Sequence, residues 1–248
     1  MSYRLGADVG GTFTDLLLVN EQTGEIAAAK VPSTPADPSI GVLQGIERVC
    51  KAAGVAPADI THVMHGTTVA TNTMLTGTGA RVGLVTTKGY RQILQIARSF
   101  VPGGLGGWVI YTQSDPIAPL ELTIEADERM GADGTVVRAL DEAALATDLA
   151  GLGREGVEAL TVSLINSYTN GSHEARVREI AMEALPGIPV SLSSLVIPEM
   201  QEYERTVTTV ANSYVRPKVE GYLKNLEREL AAKMGRVKLN ILRSDGGL

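Results

Sequence analysis

The sequence predicts a layered α/β fold, and three observations predict it. Short apolar runs of strand length recur along the chain, set apart by glycine and polar turn residues. Between them lie segments with apolar residues at helical spacing, opened by Asp, Ser or Pro and in places closed by Gly. The 248 residues are 44% hydrophobic and 20% charged, enough to bury one large core or two small ones, which excludes disorder and fibrous repeats as descriptions of the whole.

Residues 5–9, 13–19 and 26–31 read as three strands of a meander, separated by Gly10-Gly11 and by Gln22-Thr23-Gly24. Residues 38–54 follow as a helix with Ile40, Val42, Leu43, Ile46, Val49 and Cys50 mostly at helical spacings, Pro38 and Ser39 at its start and Gly54 at its end. Residues 60–65 and 81–86 read as buried strands, with a helix arising within 66–76. The glycine loop at 103–107, ahead of residues 108–111, is either a lid or a long connection. Residues 115–148 carry nine acidic side chains against Arg129 and Arg138, a local balance of −7 expected as a solvated face, with a hairpin turning at Ala132-Asp133-Gly134. Residues 141–152 form a helix capped by Asp141, 159–165 an apolar strand and 172–185 a second capped helix. Residues 198–235 read as a helix kinked or divided at Pro217, because proline lacks the N–H the preceding turn needs. A last strand at 237–242 precedes Ser244-Asp245-Gly246-Gly247-Leu248.

Charge and composition narrow the function. The 28 acidic and 22 basic side chains give a net charge of −6, against general nucleic-acid binding. One cysteine, Cys50, and three histidines are too few for a disulfide framework or a cysteine-rich zinc site, and a reducing, cytoplasmic setting is expected. The opening residues lack a signal-peptide pattern, and no apolar run approaches the roughly 18 residues of a membrane helix. No membrane partner is expected.

The sharpest local signal is Gly6-Ala7-Asp8-Val9-Gly10-Gly11-Thr12-Phe13-Thr14-Asp15, placed between the first two strands. Adjacent glycines let backbone N–H groups approach a phosphate, threonine hydroxyls add donors, and a carboxylate at the strand end suits the water shell of Mg²⁺. A tight hairpin with Gly-Gly in its turn is the plain alternative. Neither GxxxxGK[ST] nor a GxGxxG that opens a helix is present, so P-loop and Rossmann readings fall away. His65 follows an apolar strand and reads either as an acid or base or as a hydrogen-bonded core histidine. Thr67 and Thr68 either contact phosphate or cap the next helix. Lys88 reads either as a phosphate or substrate contact or, more commonly, as an exposed loop lysine, and Glu199, Glu202, Glu204 and Arg205 as surface salt bridging on a helix.

Residues 6–15 resemble the first phosphate motif of the actin, Hsp70 and sugar-kinase superfamily. With HGTTVATN at 65–72, GARVGLVTTKGYRQ at 79–92 and SLSSLVIPEMQEYERTVTTVANSYVRP at 191–217, the chain resembles the hydantoinase A and 5-oxoprolinase family over nearly its whole length. The resemblance implies a ribonuclease-H-like, actin-like ATPase fold: a layered mixed sheet with flanking helices, followed by the start of a second domain. Residues 1–188 would be the ATPase lobe and 189–248 the beginning of the hydantoinase A domain. It implies an ATP-dependent hydrolase that opens a cyclic amide by phosphorylating the amide oxygen, with ATP and Mg²⁺ as cofactors. The alternatives are the ATP-using subunit of an acetone or acetophenone carboxylase and a non-catalytic, nucleotide-driven switch. Gly10, Gly11, Thr12 and Thr14 would line the phosphates together with Thr67 and Thr68. Asp8 and Asp15 would organise Mg²⁺ or the attacking oxygen, with Asp8 the metal ligand and His65 a further catalytic residue. A hydantoinase B-like companion and an oligomeric complete enzyme are expected, and the 248 residues alone are expected to be inactive.

Overall fold

The computed structural model describes residues 2–34, 36–98 and 114–242. Two compact units emerge, one from residues 1–77 and 218–248, the other from residues 78–217. The expected glycine loop and the residues after 242 lie outside the described residues.

The first unit opens as the sequence predicts. β1 (Tyr3–Val9), β2 (Phe13–Asn20) and β3 (Ile26–Pro32) form an antiparallel meander with Asp8 opposite Asp15 and Asp15 opposite Lys30. Alternation sends Leu5, Ala7, Leu16 and Leu18 to one face. There they meet Val42, Ile46 and Val49 of α1 (Pro38–Ala53). Asp37 caps α1 by accepting from the Ser39 N–H, and Gly54 ends it in the left-handed conformation. Gly45 is required by packing: a Cβ there would lie 1.9 Å from Leu16 Cδ2. β4 (Ile60–Thr67) runs parallel to β1, and α2 (Val69–Thr76) follows it.

The second unit carries an all-parallel sheet. It contains β5 (Val82–Thr87), α3 (Ile93–Ile96), β6 (Thr123–Ala126), the small hairpin β7 (Arg129–Met130) and β8 (Val136–Arg138), and α4 (Glu142–Arg154). β9 (Ala159–Ser163), α5 (Ser172–Ala184), β10 (Val190–Leu192) and α6 (Ser193–Val196) complete it, with the strands ordered β10-β9-β5-β6. β5 and β9 are buried at every residue, the mark of strands covered on both faces. Asp141 caps α4 as expected, and Gly134 turns the hairpin with φ 81°. α5 differs from expectation: it starts at Ser172 with no side-chain cap, and Asn170 instead holds the Ser172 N–H.

α7 (Glu202–Met234) is one 33-residue helix that passes through Pro217, where the sequence predicts a kink or a division. Packing sustains it on both sides of the proline: Val210 and Ser213 are buried before it, and Tyr222, Leu226 and Leu230 after it. β11 (Lys238–Ile241) then pairs parallel to β4 and gives the first unit the order β11-β4-β1-β2-β3. This is the ribonuclease-H-like order, an antiparallel three-strand meander extended by two parallel strands. The expected boundary at 188/189 separates sequence motifs and does not coincide with the compact units, because β10 joins β9 and β11 joins β4. Among the described residues no helix is long and apolar enough to cross a membrane.

Candidate functional site

The β1–β2 turn is held from below. Gly10 N–H donates to the Phe13 carbonyl at 3.0 Å, which leaves Gly11 and Thr12 exposed at the tip. Ser33, just after β3, clamps the turn twice, its N–H donating to Thr12 O at 2.9 Å and its hydroxyl to Gly10 O at 2.8 Å. Thr68 braces the other side through its N–H and hydroxyl, both donating to Val9 O, and Asn72 Nδ2 donates to Thr68 Oγ1. Thr67 Oγ1 accepts from the Val69 N–H. Thr67 and Thr68 therefore hold the turn and the start of α2.

Four residues stand in one row across four strands: Gly66 on β4, Asp8 on β1, Asp15 on β2 and Lys30 on β3. The two carboxylates face each other, yet their surroundings differ. Lys30 Nζ lies 3.0 and 3.1 Å from the two Asp15 oxygens, so Asp15 is already neutralised. The Asp8 carboxylate forms no hydrogen bond or ion pair among the described residues and sits where a Cβ on Gly66 would come within 3.2 Å of its Oδ1. The row lines a cavity of about 640 Å³ on this sheet face, bordered by Gly6, Leu17, Met64 and Leu242. An unpaired carboxylate beside a turn with free N–H groups and a threonine hydroxyl suits a hydrated divalent cation and the phosphates it accompanies. No cluster of three or more His, Cys, Asp or Glu side chains that could hold a metal ion occurs among the described residues.

Several expected roles change. Thr14 is fully buried, its hydroxyl 3.0 Å from Ser33 Oγ, and cannot line a phosphate; it alternates inward with Leu16 and Leu18. Asp15 is occupied by Lys30. His65 is fully buried, its Nε2 2.7 Å from the Tyr222 hydroxyl. Burial pushes its imidazole below the ordinary histidine value, partly offset by the Ala7 backbone and the Asp8 charge. Of its two readings, the core histidine is the one realised. Tyr222 is held above the usual phenol value by burial and by Asp37.

Lys30, Ser33 and Gly66, which the sequence motif does not single out, stand against Asp15, the turn and Asp8 respectively. The signal for Lys30 is a charged residue in an otherwise apolar and small strand, placed opposite Asp15 once the meander is registered.

In the second unit Lys88 pairs with Asp127 on the surface, as expected of a loop lysine. Arg205 departs from the surface account. It is buried and donates to Ser193 Oγ, Glu199 O and Leu164 O at 3.1, 3.0 and 2.8 Å. The fully buried Glu174 accepts from the same Ser193 hydroxyl at 2.6 Å and from the Leu164 and Ser194 N–H groups. Glu204 does form a surface pair, with Arg98.

Residues 4–185 match the family model described as the hydantoinase/oxoprolinase N-terminal region. Caprolactamase subunit alpha of Pseudomonas jessenii is 33% identical over 250 residues, covering 99% of this chain and 36% of that protein. The crystal structure of the ATP-dependent caprolactamase from the same organism superposes with a TM-score of 0.87, over 99% of this chain and 36% of that one. 5-Oxoprolinase 1 of Arabidopsis thaliana is 30% identical across 99% of this chain and 21% of its own length. A nucleotide-free acetone carboxylase structure superposes with a TM-score of 0.88 at 25% identity, over 98% of this chain and 36% of that one. The chain thus spans about a third or less of the relatives it matches.

Proposed function

We propose that this chain, which belongs to the hydantoinase/oxoprolinase N-terminal family, supplies the phosphate-binding lobe of an ATP-dependent enzyme that opens a cyclic amide. The observation that carries this is the unpaired Asp8 carboxylate, set in the Gly66–Asp8–Asp15–Lys30 row directly below the exposed Gly11-Thr12 tip. Support comes from relatives whose names describe ATP-dependent caprolactamase and 5-oxoprolinase.

A ring lactam is a poor electrophile because its nitrogen donates into the carbonyl. Attack of the amide oxygen on the γ-phosphorus of ATP breaks the bond to ADP and forms an O-phosphorylated imidate. Water then adds to its carbon and the ring nitrogen leaves with a proton, which opens the ring to an acyl phosphate; a second water attacks that acyl carbon and the C–O bond to phosphate breaks, giving the carboxylate and inorganic phosphate. The task of the protein is positioning and charge neutralisation. In this reading the backbone N–H groups of Gly11 and Thr12 and the Thr12 hydroxyl bind phosphate oxygens, while the Gly10 N–H stays on the Phe13 carbonyl and closes the turn. Asp8 orients the water shell of Mg²⁺, which supplies positive charge beside the phosphates. Lys30 neutralises Asp15, so that one carboxylate and not two faces the incoming polyphosphate. Ser33, Thr67 and Thr68 hold the turn. The same reading keeps a cytoplasmic setting, a hydantoinase B-like companion and an oligomeric complete enzyme; the relative named as subunit alpha supports the companion.

The test uses the complete enzyme and a cyclic amide carrying ¹⁸O in its carbonyl. Phosphorylation of the amide oxygen sends that ¹⁸O into the inorganic phosphate, one atom per turnover. Unlabelled phosphate would contradict it. A second reading, an ATP-using carboxylase subunit, is favoured by the close superposition on acetone carboxylase. Dependence on bicarbonate and a ketone separates it from lactam opening.

A further inference from the structure

The parallel sheet of the second unit has a second concave site, at the end where open α/β sheets hold ligands. β5 and β6 run parallel, and their carboxyl ends lead into Lys88–Gly89 and Asp127. A cavity of about 570 Å³ opens there, within the range of small-molecule sites. Its charges are unusual. Arg91 is anchored by its own guanidinium, Nε donating to Thr123 O at 3.1 Å and Nη2 to Leu120 O at 3.2 Å, and no carboxylate pairs with it among the described residues. Among the described residues the Glu125 side chain accepts only from the Gly89 N–H, at 2.7 Å. The Glu202 side chain makes no hydrogen bond or ion pair among the described residues. All three line the cavity, together with the apolar side chains of Ile93, Ile96 and Leu120.

A fixed cation and two carboxylates that leave one another unpaired, with aliphatic wall in the same cavity, match a ligand carrying both charges on an apolar spacer. Surface charges with no such task normally pair or point into bulk solvent. Ala97, another lining residue, holds φ at 49°, a conformation that a non-glycine residue adopts at a cost. We infer that this cavity binds a small zwitterionic amino acid: Arg91 takes the carboxylate, Glu125 and Glu202 take the ammonium, and Ile93, Ile96 and Leu120 cover the carbon chain. The inference rests on the proposed function, because hydrolysis of a cyclic amide yields such a molecule: the carbonyl carbon becomes a carboxylate and the ring nitrogen an ammonium on one chain. The site would therefore be a product site.

Isothermal titration of the 248-residue chain tests it, with 6-aminohexanoate as the probe and hexanoate and hexylamine as the two half-charged controls. The zwitterion should bind at least about tenfold more tightly than either control, and more weakly as salt is added. Arg91→Gln should bring the zwitterion down to the affinity of hexylamine, and Glu125→Gln with Glu202→Gln to that of hexanoate. Arg91→Lys, which keeps the charge, should retain the preference, and it serves if Arg91→Gln does not fold. Equal affinities within about threefold, or no binding at about 50 mM probe, would overturn the inference. No nucleotide enters this titration, so its failure leaves the phosphate-site reading standing, and failure of that reading leaves the titration result intact.

Discussion

Asp8 lies directly opposite Gly66 in the parallel register of β1 and β4, and a Cβ at position 66 would stand 3.2 Å from Asp8 Oδ1. The glycine is needed for space beside a carboxylate rather than for an unusual backbone conformation. Gly66→Ala should displace the carboxylate by a few tenths of an ångström and weaken Mg·ATP binding to the complete enzyme by about tenfold, roughly 1.4 kcal/mol. Melting temperature should fall little, since Gly66 is only half-buried. Unchanged nucleotide affinity would show that Asp8 tolerates the methyl group and that its position is not critical.

His65 makes stability depend on pH. Its folded-state value lies below the ordinary 6.5, so the unfolded chain takes up the proton first as pH falls. Stability is therefore unaffected by His65 well above pH 6.5 and declines below it, by up to about 1.4 kcal/mol per pH unit. The paired carboxylates of Asp127, Glu142 and Glu204, held below their usual values chiefly by Lys88, Arg176 and Arg98 respectively, act only at lower pH, below about 4.5. Denaturant midpoints at pH 7 and pH 5.5 should differ clearly in the wild type and much less in His65→Gln. Equal pH dependence in both would place the acid-sensitive group elsewhere.

Arg205 is buried in the second unit and holds three acceptors there. Arg205→Ala leaves Glu174 and its Ser193 relay buried beside a void and strips the donors from Glu199 O and Leu164 O. The expected loss is about 3–5 kcal/mol, against about 1 kcal/mol for the exposed Lys88→Ala. Urea midpoints of the two variants decide it; similar midpoints would mean that water replaces the guanidinium.

Much of the fold was legible because it rests on local patterns. The meander, α1 with its Asp37 and Gly54 ends, and the Asp141 cap follow from alternation, helical spacing and caps. β10 and α6 were not, because Ser191, Ser193 and Ser194 carry no apolar signature; burial of Ser191 and Ser193 comes from their hydrogen-bond partners Asn212, Glu174 and Arg205. Pro217 misled for a related reason: the penalty of one proline was visible, the packing that offsets it on either side was not. At the candidate site the motif marks the β1–β2 turn, but the side chains around it are placed otherwise than expected. Thr14 belongs with Leu16 and Leu18 on the inward face, and period-two alternation from Asp15 already places it there. The difference between Asp8 and Asp15 was hidden, because it depends on Lys30, brought in from β3 by sheet register.

In the proposed function Asp8 is the carboxylate that serves the nucleotide phosphates. Asp8→Ala in the complete enzyme, with folding verified by its melting temperature, tests it through ATP-dependent turnover of a cyclic amide. Turnover should be abolished while the protein remains folded, as the Asp8 carboxylate forms no hydrogen bond or ion pair among the described residues. Turnover within about tenfold of wild type, a loss below roughly 1.4 kcal/mol of transition-state stabilisation, would contradict it.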